Sequence, residues 1–289
     1  KLHKQINTRQ NWEKVSRQIA IDKYKKKILS FIRTSAAVLL IPVLIATYSL
    51  FNTLKDWNNL PVEQVELTTA YGLISKITLP DGSEVWLNSG SSISYPKRFT
   101  DNKRNIQLMG EAYFKVTSDK SNRFDVLTPN GLQVSAYGTE FNVKAYEDED
   151  KIEATLAKGH IEVTEIGQPV SRTLRPGEQV VYYKNTSRME VDKVNLAVET
   201  SWKDGKMIFR RANMNEIVQR LARHFNVDIK LEGEELYDYN YSATFTTETL
   251  SEVLLLLEKT APIKCTVIEP KQTDDFTYSR RTVIIKTIK

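Results

Sequence analysis

The sequence predicts three successive structural parts: a single membrane-spanning helix, an all-β domain and a small α+β domain. Three observations support this prediction. Residues 34–54 contain no charged side chain, apolar and polar residues alternate from about Leu67, and helical spacing returns after Trp202. The predicted segments are a tail at 1–33, a helix at 34–54, a linker at 55–66, the all-β domain at 67–198 and the α+β domain at 199–289.

Charge is distributed unevenly along the 289 residues. The first 33 residues contain ten Lys and Arg against two Asp and Glu, whereas the remainder contains 31 basic and 34 acidic residues. The net charge of +5 therefore reflects the tail, and we expect no direct nucleic-acid partner. The single cysteine, Cys265, excludes an intrachain disulfide. Its alternating surroundings favour a small buried side chain.

The uncharged run from Thr34 to Leu54 is long enough to cross a bilayer. As a helix it spans ~31 Å at ~1.5 Å per residue, close to the ~30 Å hydrocarbon thickness. Lys and Arg concentrate on its N-terminal side, so the positive-inside rule places the N-terminus in the cytoplasm. A cleavable signal peptide fits less well because no small-residue cleavage site follows, and a buried globular helix would be shorter.

Pro42 lies in the middle of this run, where it removes one backbone hydrogen bond from a helix. A tolerated kink is the simpler interpretation. The alternative is a locally unwound site for an intramembrane protease, which requires an extended peptide bond.

The tail contains a short amphipathic pattern. Trp12, Val15 and Ile19 lie near one stripe of a helix over residues 9–21. Since so short a helix has no core of its own, we expect it to pack on further residues or to bind a partner in a groove. The sequence begins with Lys1 and not with Met, so we expect it to be cut from a longer chain.

Strand alternation and turn signals recur through residues 67–198. Pro80, Asp81 and Gly82 form a turn between two alternating segments, because Pro fixes φ, Asp bonds local backbone and Gly permits positive φ. Pro176 and Gly177 supply the last such turn, and Gly138 with Thr139 interrupts another pair of segments. About ten strands without a helix predict an antiparallel sandwich, roll or solenoid, and the sequence does not choose among them.

Residues 199–289 are predicted to contain two consecutive β-α-β units. Asn213 with Glu216, and Thr249 with Glu252, have the spacing of helix N-terminal capping boxes. Each precedes an apolar helical stripe that is flanked by alternating segments. We expect one small sheet covered by two helices.

No catalytic or metal-binding pattern is present. We therefore expect no enzyme activity, no cofactor and no metal site. Glu147–Asp150 lacks the ligand spacing of a calcium loop and is interpreted as a solvated loop. Turn chemistry accounts better than catalysis for Gly110 and Glu111, and His160 and His224 are interpreted as surface groups.

Five motifs in order resemble the periplasmic domain of FecR-type anti-sigma regulators. They comprise Leu79–Asn88, Leu108–Val116, Gly138–Val143, Leu156–Gly159 and Leu174–Gln179. The segment from Trp202 to Gly205, with the apolar residues that follow, is similar to the C-terminal module of such proteins. That module in turn resembles the short N-terminal domain of secretins and TonB-dependent receptors.

The resemblance implies a signal relay across the inner membrane. In this family a cytoplasmic N-terminal domain binds an extracytoplasmic-function sigma factor, so Trp12, Val15 and Ile19 become candidate sigma-factor contacts. The periplasmic part receives a signal from the N-terminal domain of an outer-membrane TonB-dependent transporter. Regulated proteolysis can then release the cytoplasmic piece, which makes Pro42 a candidate cleavage region. The family motifs themselves are expected to be structural.

A second reading of the same features is a membrane-tethered periplasmic scaffold that docks an outer-membrane complex without signalling. A third, an enzyme acting on envelope polymers, lacks any suitable group of residues. We expect partner binding at the sheet edges of the C-terminal module by strand addition.

Overall fold

The computed structural model describes residues 8–58, 63–99, 103–129, 131–168, 170–272 and 276–288. The side chains of residues 8–11, 32–41 and 53–58 are outside this description. The chain forms two compact units, Lys1–Pro61 and Val62–Lys289, and each unit is described by itself.

The first unit contains one long helix, α1, Thr8–Asn58. It covers the amphipathic pattern of the tail and continues through Pro42 into the segment that was predicted to be a linker. Trp12, Val15 and Ile19 are exposed on α1, with 72%, 49% and 59% of their surface accessible. Among the described residues, no helical stretch is both long enough and apolar enough to cross a membrane.

The described residues of the first part of the second unit form thirteen strands. Their bounds are β1 Gln64–Thr68, β2 Ser75–Thr78, β3 Glu84–Leu87, β4 Ser92–Pro96, β5 Lys103–Lys115, β6 Arg123–Leu127, β7 Leu132–Ala136, β8 Glu140–Ala145, β9 Lys151–Lys158, β10 Ile161–Glu165, β11 Ser171–Leu174, β12 Glu178–Tyr183 and β13 Arg188–Lys193. The predicted turns at Gly82, Gly138 and Gly177 all separate consecutive strands, as do the positive-φ residues Gly131 and Gly159.

These strands form two sheets that share β5. One sheet has the order β1-β4-β5-β6-β7-β10-β11 and the other β2-β3-β5-β8-β9-β12-β13. β5 pairs in the first sheet through Met109 and in the second from Gly110. All pairs are antiparallel, as predicted, except β5–β6, which is parallel. The alternation of apolar and polar residues indicates which face of a strand is buried, but it contains no information about the direction in which neighbouring strands run.

The two sheets enclose one apolar core, and three phenylalanine rings pack together within it. Phe114 of the second sheet stacks on Phe141 at 5.0 Å between ring centroids and meets the edge of Phe124, from the first sheet, at 6.0 Å. All three rings are fully buried. Burial of this apolar surface is what holds the sheets together.

The Asp81 turn is fixed by a buried arginine. Asp81 accepts from the backbone N–H of Ser83 at 3.0 Å, as an Asx turn does, and from Arg104 Nη1 at 2.7 Å. Arg104 also donates to the backbone carbonyls of Thr117 and Asn122. Because Arg104 is only 3% exposed, its charge depends on these partners. Asp81, which the sequence pattern explains as a turn residue, therefore also pairs with the buried positive charge of Arg104.

The C-terminal part begins with a short helix, α2 Leu196–Thr200, and a 3₁₀ turn, Ser201–Asp204. The elements that follow are β14 Met207–Asn213, α3 Met214–Phe225, β15 Asp228–Glu232, β16 Asn240–Phe245, α4 Leu250–Thr260, β17 Ile263–Ile268 and β18 Thr282–Thr287. Both predicted helix starts are confirmed. Asn213 accepts from the N–H of Glu216, and Thr249 with Glu252 forms a complete capping box.

The strands of this part form two sheets in the described residues, where one was predicted. β14 pairs with β16, whereas β15 lies parallel to β18, which also pairs with β17. The β-α-β order was correct, but the pairing of β15 with the last strand of the chain is a long-range contact that a local pattern does not encode. A separate apolar core, including Phe209, Leu221 and Val253, lies between these sheets and the helices.

Removing the Asp81 carboxylate will destabilise the β-domain. We expect Asp81→Ala to lower the free energy of unfolding by about 3 kcal/mol, because the buried Arg104 guanidinium loses its counter-charge. Glu63→Ala is the matched control, since the Glu63–Lys97 pair is exposed on both sides and should change stability by less than about 1 kcal/mol. Urea unfolding measures both, and equal losses for the two variants would contradict the role assigned to Asp81.

Candidate functional site

Glu111 is a buried carboxylate at the point where β5 passes from one sheet to the other. Asn88 Nδ2 donates to its Oε2 at 2.7 Å, and Asn142 Nδ2 donates to its Oε1 at 2.9 Å. Burial raises the pKa of Glu111, while the positive charge of Lys144 and the two amide hydrogen bonds oppose that rise. Glu111 is therefore the centre of a polar network inside the protein and not a turn residue, which corrects the sequence-based interpretation.

The glycine before it makes this geometry possible. Gly110 has φ 95°, a left-handed conformation, and a Cβ there would lie 2.8 Å from Ser91 Cα. With no side chain in the way, Ser91 packs against the strand, and its Oγ accepts from the backbone N–H of Glu111 at 2.8 Å. Gly110 and Glu111 thus act as one structural unit.

Trp202 connects this network to the C-terminal part. It lies in the 3₁₀ turn that ends at Gly205, whose φ is 72°. The indole Nε1 donates to Asn142 Oδ1 at 3.2 Å, and the ring is 6% exposed. Asn142 therefore uses its amide group to hold Glu111 and its carbonyl oxygen to hold Trp202.

Arg223 of α3 makes the second connection between the same two parts. It donates to both carboxylate oxygens of Asp148 at 2.9 and 3.0 Å and also pairs with Glu149. Its guanidinium lies 3.8 Å from the centroid of the Tyr146 ring. The interpretation of Glu147–Asp150 as a solvated loop was therefore wrong for Glu149, which is buried against an arginine 74 positions away, whereas Asp148 pairs with the same arginine and stays exposed.

The backbone at the end of α3 is held as well. The Arg223 carbonyl accepts from Ser89 Oγ at 2.7 Å and from the N–H of Gly72 at 3.2 Å. Carbonyls in the last turn of a helix lack intrahelical donors, so these two groups satisfy one of them.

His224, the next residue, is half-buried, and burial lowers its pKa. The prediction of a surface histidine therefore holds only for His160, which is exposed.

A cavity of about 130 Å³ lies between these contacts. Lys144 reaches Glu149 at 2.8 Å and Glu153 at 3.6 Å, and Lys151 reaches Glu153 at 2.6 Å. Glu199 of α2 also lines the cavity. We use the name polar junction for Glu111, Asn142, Trp202, Arg223 and the charged groups of this cavity. In the part of the chain that the structure describes, no three His, Cys, Asp or Glu side chains are placed to hold a metal ion.

The comparisons with known proteins agree with this architecture. Residues 65–162 match the family described as FecR protein, and residues 206–274 match the family described as FecR, C-terminal. The chain belongs to the FecR family. The resemblance drawn from the five ordered motifs is thereby confirmed.

Two crystal structures of a candidate anti-sigma factor from Parabacteroides distasonis ATCC 8503 have the same fold as this FecR-family chain. Each is 24% identical, with 78% of this chain and 100% of the other chain covered, and the TM-scores are 0.66 and 0.67. No curated protein matches the chain.

The FecR motifs divide into two groups in the structure. Glu111, Gly110 and Trp202 meet at the polar junction, together with Asn88 and Asn142 from the same motifs. The remaining motif residues lie elsewhere, at turns or strand ends: Pro80, Asp81, Gly82, Gly138, Thr139, Pro176 and Gly177. Gly205 closes the Trp202 turn, and Trp12, Val15, Ile19 and Pro42 belong to α1.

Two residues of the junction could have been found from the sequence, and two could not. Asn88 and Asn142 are amides inside the family motifs, and both lie on the face opposite the core residues Leu87 and Phe141. Arg223 and Glu149 have no local signal, because an Arg near a helix end and a Glu in an acidic loop are ordinary surface residues. Only the fold brings them together.

Loss of the Arg223 side chain will loosen the C-terminal part. We expect Arg223→Ala to lower the free energy of unfolding by about 2 kcal/mol or more, because Glu149 stays buried with Lys144 as its remaining cation. Hydrogen exchange of α3 should accelerate in the variant.

Arg172→Ala provides the control, since Arg172 is exposed and its one hydrogen bond within the described ranges goes to the carbonyl of Ser171. It should change stability by no more than about 0.5 kcal/mol. Unchanged exchange in α3 of Arg223→Ala would exclude Arg223 as a link between the two parts.

Proposed function

We propose that this protein is an anti-sigma regulator that binds an extracytoplasmic-function sigma factor through α1. Membership of the FecR family is the observation that carries the proposal. Trp12, Val15 and Ile19 form an exposed apolar stripe on α1, which suits binding to a groove on a partner. The sigma factor is the partner class that the family implies.

We further propose that α1 crosses the inner membrane between Thr34 and Leu54, with the N-terminus in the cytoplasm and the β-domain in the periplasm. The support is the run of 21 uncharged residues and the excess of Lys and Arg before it. The helix is continuous over this region. One helix can therefore connect a sigma-binding segment to a receiving domain.

On this proposal the second unit receives a signal from the N-terminal domain of an outer-membrane TonB-dependent transporter. The C-terminal part offers strand edges for docking, since β16 pairs only with β14 among the described strands. A single helix transmits little conformational change, because a ligand shifts an equilibrium only by its differential affinity for two states. Proteolysis within the membrane, with Pro42 as a weak point in the helix, would carry the signal further.

The sigma-factor proposal is tested by co-purification of the detergent-solubilised full chain with an extracytoplasmic-function sigma factor. We expect binding by the wild type and at least about tenfold weaker binding by the Trp12→Ala, Ile19→Ala double variant, because each large apolar side chain contributes ~1.5–3 kcal/mol when it is buried. Arg17→Ala, on the opposite side of α1 by helical spacing, should bind as the wild type does.

A transcription reporter separates this function from that of a scaffold. Deletion of residues 1–33 should abolish control of the sigma-dependent promoter while leaving capture of the outer-membrane partner unchanged. If no sigma factor binds and the promoter does not respond to the deletion, the scaffold is the correct function. A response that persists with all intramembrane cleavage blocked would exclude the proteolytic step alone.

A further inference from the structure

Glu199 is a carboxylate without a counter-ion at the polar junction. It belongs to α2, which lies against β9 of the β-domain and β14 of the C-terminal part. Its only described hydrogen bond is a long one, in which Gln179 Nε2 donates to Oε2 at 3.4 Å. No cation among the described residues forms an ion pair with it.

The charged groups around Glu199 come from both parts of the second unit. β5 supplies Glu111, β8 supplies Lys144, and β9 supplies Lys151 and Glu153. The C-terminal part supplies Lys206, Glu216, Arg220, Arg223 and His224.

The cations of this group are already paired. Lys144 and Lys151 pair with Glu153, and Lys144 also pairs with Glu149. Arg220 reaches Glu216 at 3.4 Å and donates to the Ile208 carbonyl at 3.0 Å. Lys206 is exposed. Glu199 therefore has the carboxyl groups of Glu111 and Glu153 as neighbours and, among the described residues, no cation paired with it.

Burial raises the pKa of Glu199 to about 7, and the negative charges of Glu153 and Glu111 act in the same direction. Arg220 opposes this effect only in part. Near neutral pH the carboxyl group is thus divided between its protonated and ionised forms. The periplasm, where we propose that this unit lies, exchanges small ions with the medium.

We propose that Glu199 makes the polar junction a proton-sensitive joint, which is tight when the carboxyl group is protonated and loosens when it ionises. Ionisation places an unpaired negative charge on Glu199 beside the carboxyl groups of Glu111 and Glu153, and the simplest relief is movement of α2 away from the cavity into water. This movement would also disturb Trp202, which follows α2 directly. The proposal rests on the geometry of the junction and does not require sigma-factor binding.

The sign of the pH dependence follows from linkage. In the open state the carboxyl group has its ordinary pKa, so the closed state binds more protons and loses stability as pH rises. The loss begins above the ordinary Glu pKa and levels off as the pH rises past about 7. His224 acts in the opposite direction, since burial lowers its pKa, and closed-state stability from that residue rises with pH.

The test is hydrogen exchange of the full chain in detergent, followed in peptides that cover residues 196–204 at pH 5, 6, 7 and 8. Protection factors are corrected for the intrinsic exchange rate. We expect the wild-type protection of this segment to fall by up to about tenfold per pH unit between pH 5 and 7, and then to level off. Peptides from β7, which contains no residue of the polar junction, serve as an internal reference and should keep constant protection.

Glu199→Gln should show high protection with no fall over this range, because the amide stays neutral. Glu162→Gln, an exposed strand residue outside the junction, should behave as the wild type does. Glu153→Gln removes one neighbouring negative charge and should move the upper end of the fall to lower pH, which keeps the proposal testable if Glu199→Gln does not fold. A flat wild-type profile, or the same fall in Glu199→Gln, would overturn the proposal, and neither result bears on the sigma-factor assay.

Discussion

The burial of the Glu111 carboxylate is the constraint on which the arrangement of this protein depends. A polar group removed from water costs several kcal/mol unless hydrogen-bond partners surround it, and here the partners are Asn88 on one side and Asn142 on the other. Each of the three residues belongs to a different strand segment. Once Asn142 turns its amide group to the carboxylate, its carbonyl oxygen faces Trp202. The need to satisfy one buried carboxyl group thus fixes the position of the turn that opens the C-terminal part.

The free-energy cost of burying an unpaired charge explains the Arg223 contacts. The side chain of Glu149 is 4% exposed and that of Arg223 is 12% exposed, so neither charge is well solvated and each requires the other. The Arg223 carbonyl is held by Ser89 and Gly72, which fixes the backbone as well as the side chain. Two separate apolar cores, one in each part of the second unit, are therefore joined mainly through polar groups with specific geometry.

Local features of this fold could be predicted from the sequence, and long-range features could not. The turn at Gly82 and the helix starts at Asn213 and Thr249 depend on residues within four positions of each other, and all are present. Gly110 and Glu111 also resemble a turn locally, yet their conformation is set by Ser91. The acidic run was misread for the same reason, because its arginine lies on a helix in another part of the chain.

A junction built from charges behaves differently from one built from apolar contacts. Apolar burial contributes in proportion to area and is nearly insensitive to pH, whereas each buried charge contributes only while its partners and its ionisation state are correct. Breaking one such contact changes the free energy of the junction by a few kcal/mol, which is the range in which a binding partner can shift an equilibrium between two states. A receiving unit whose two cores are stable but whose connection is polar can therefore change the connection without unfolding either core. That separation of stability from response is what a relay of the proposed kind requires.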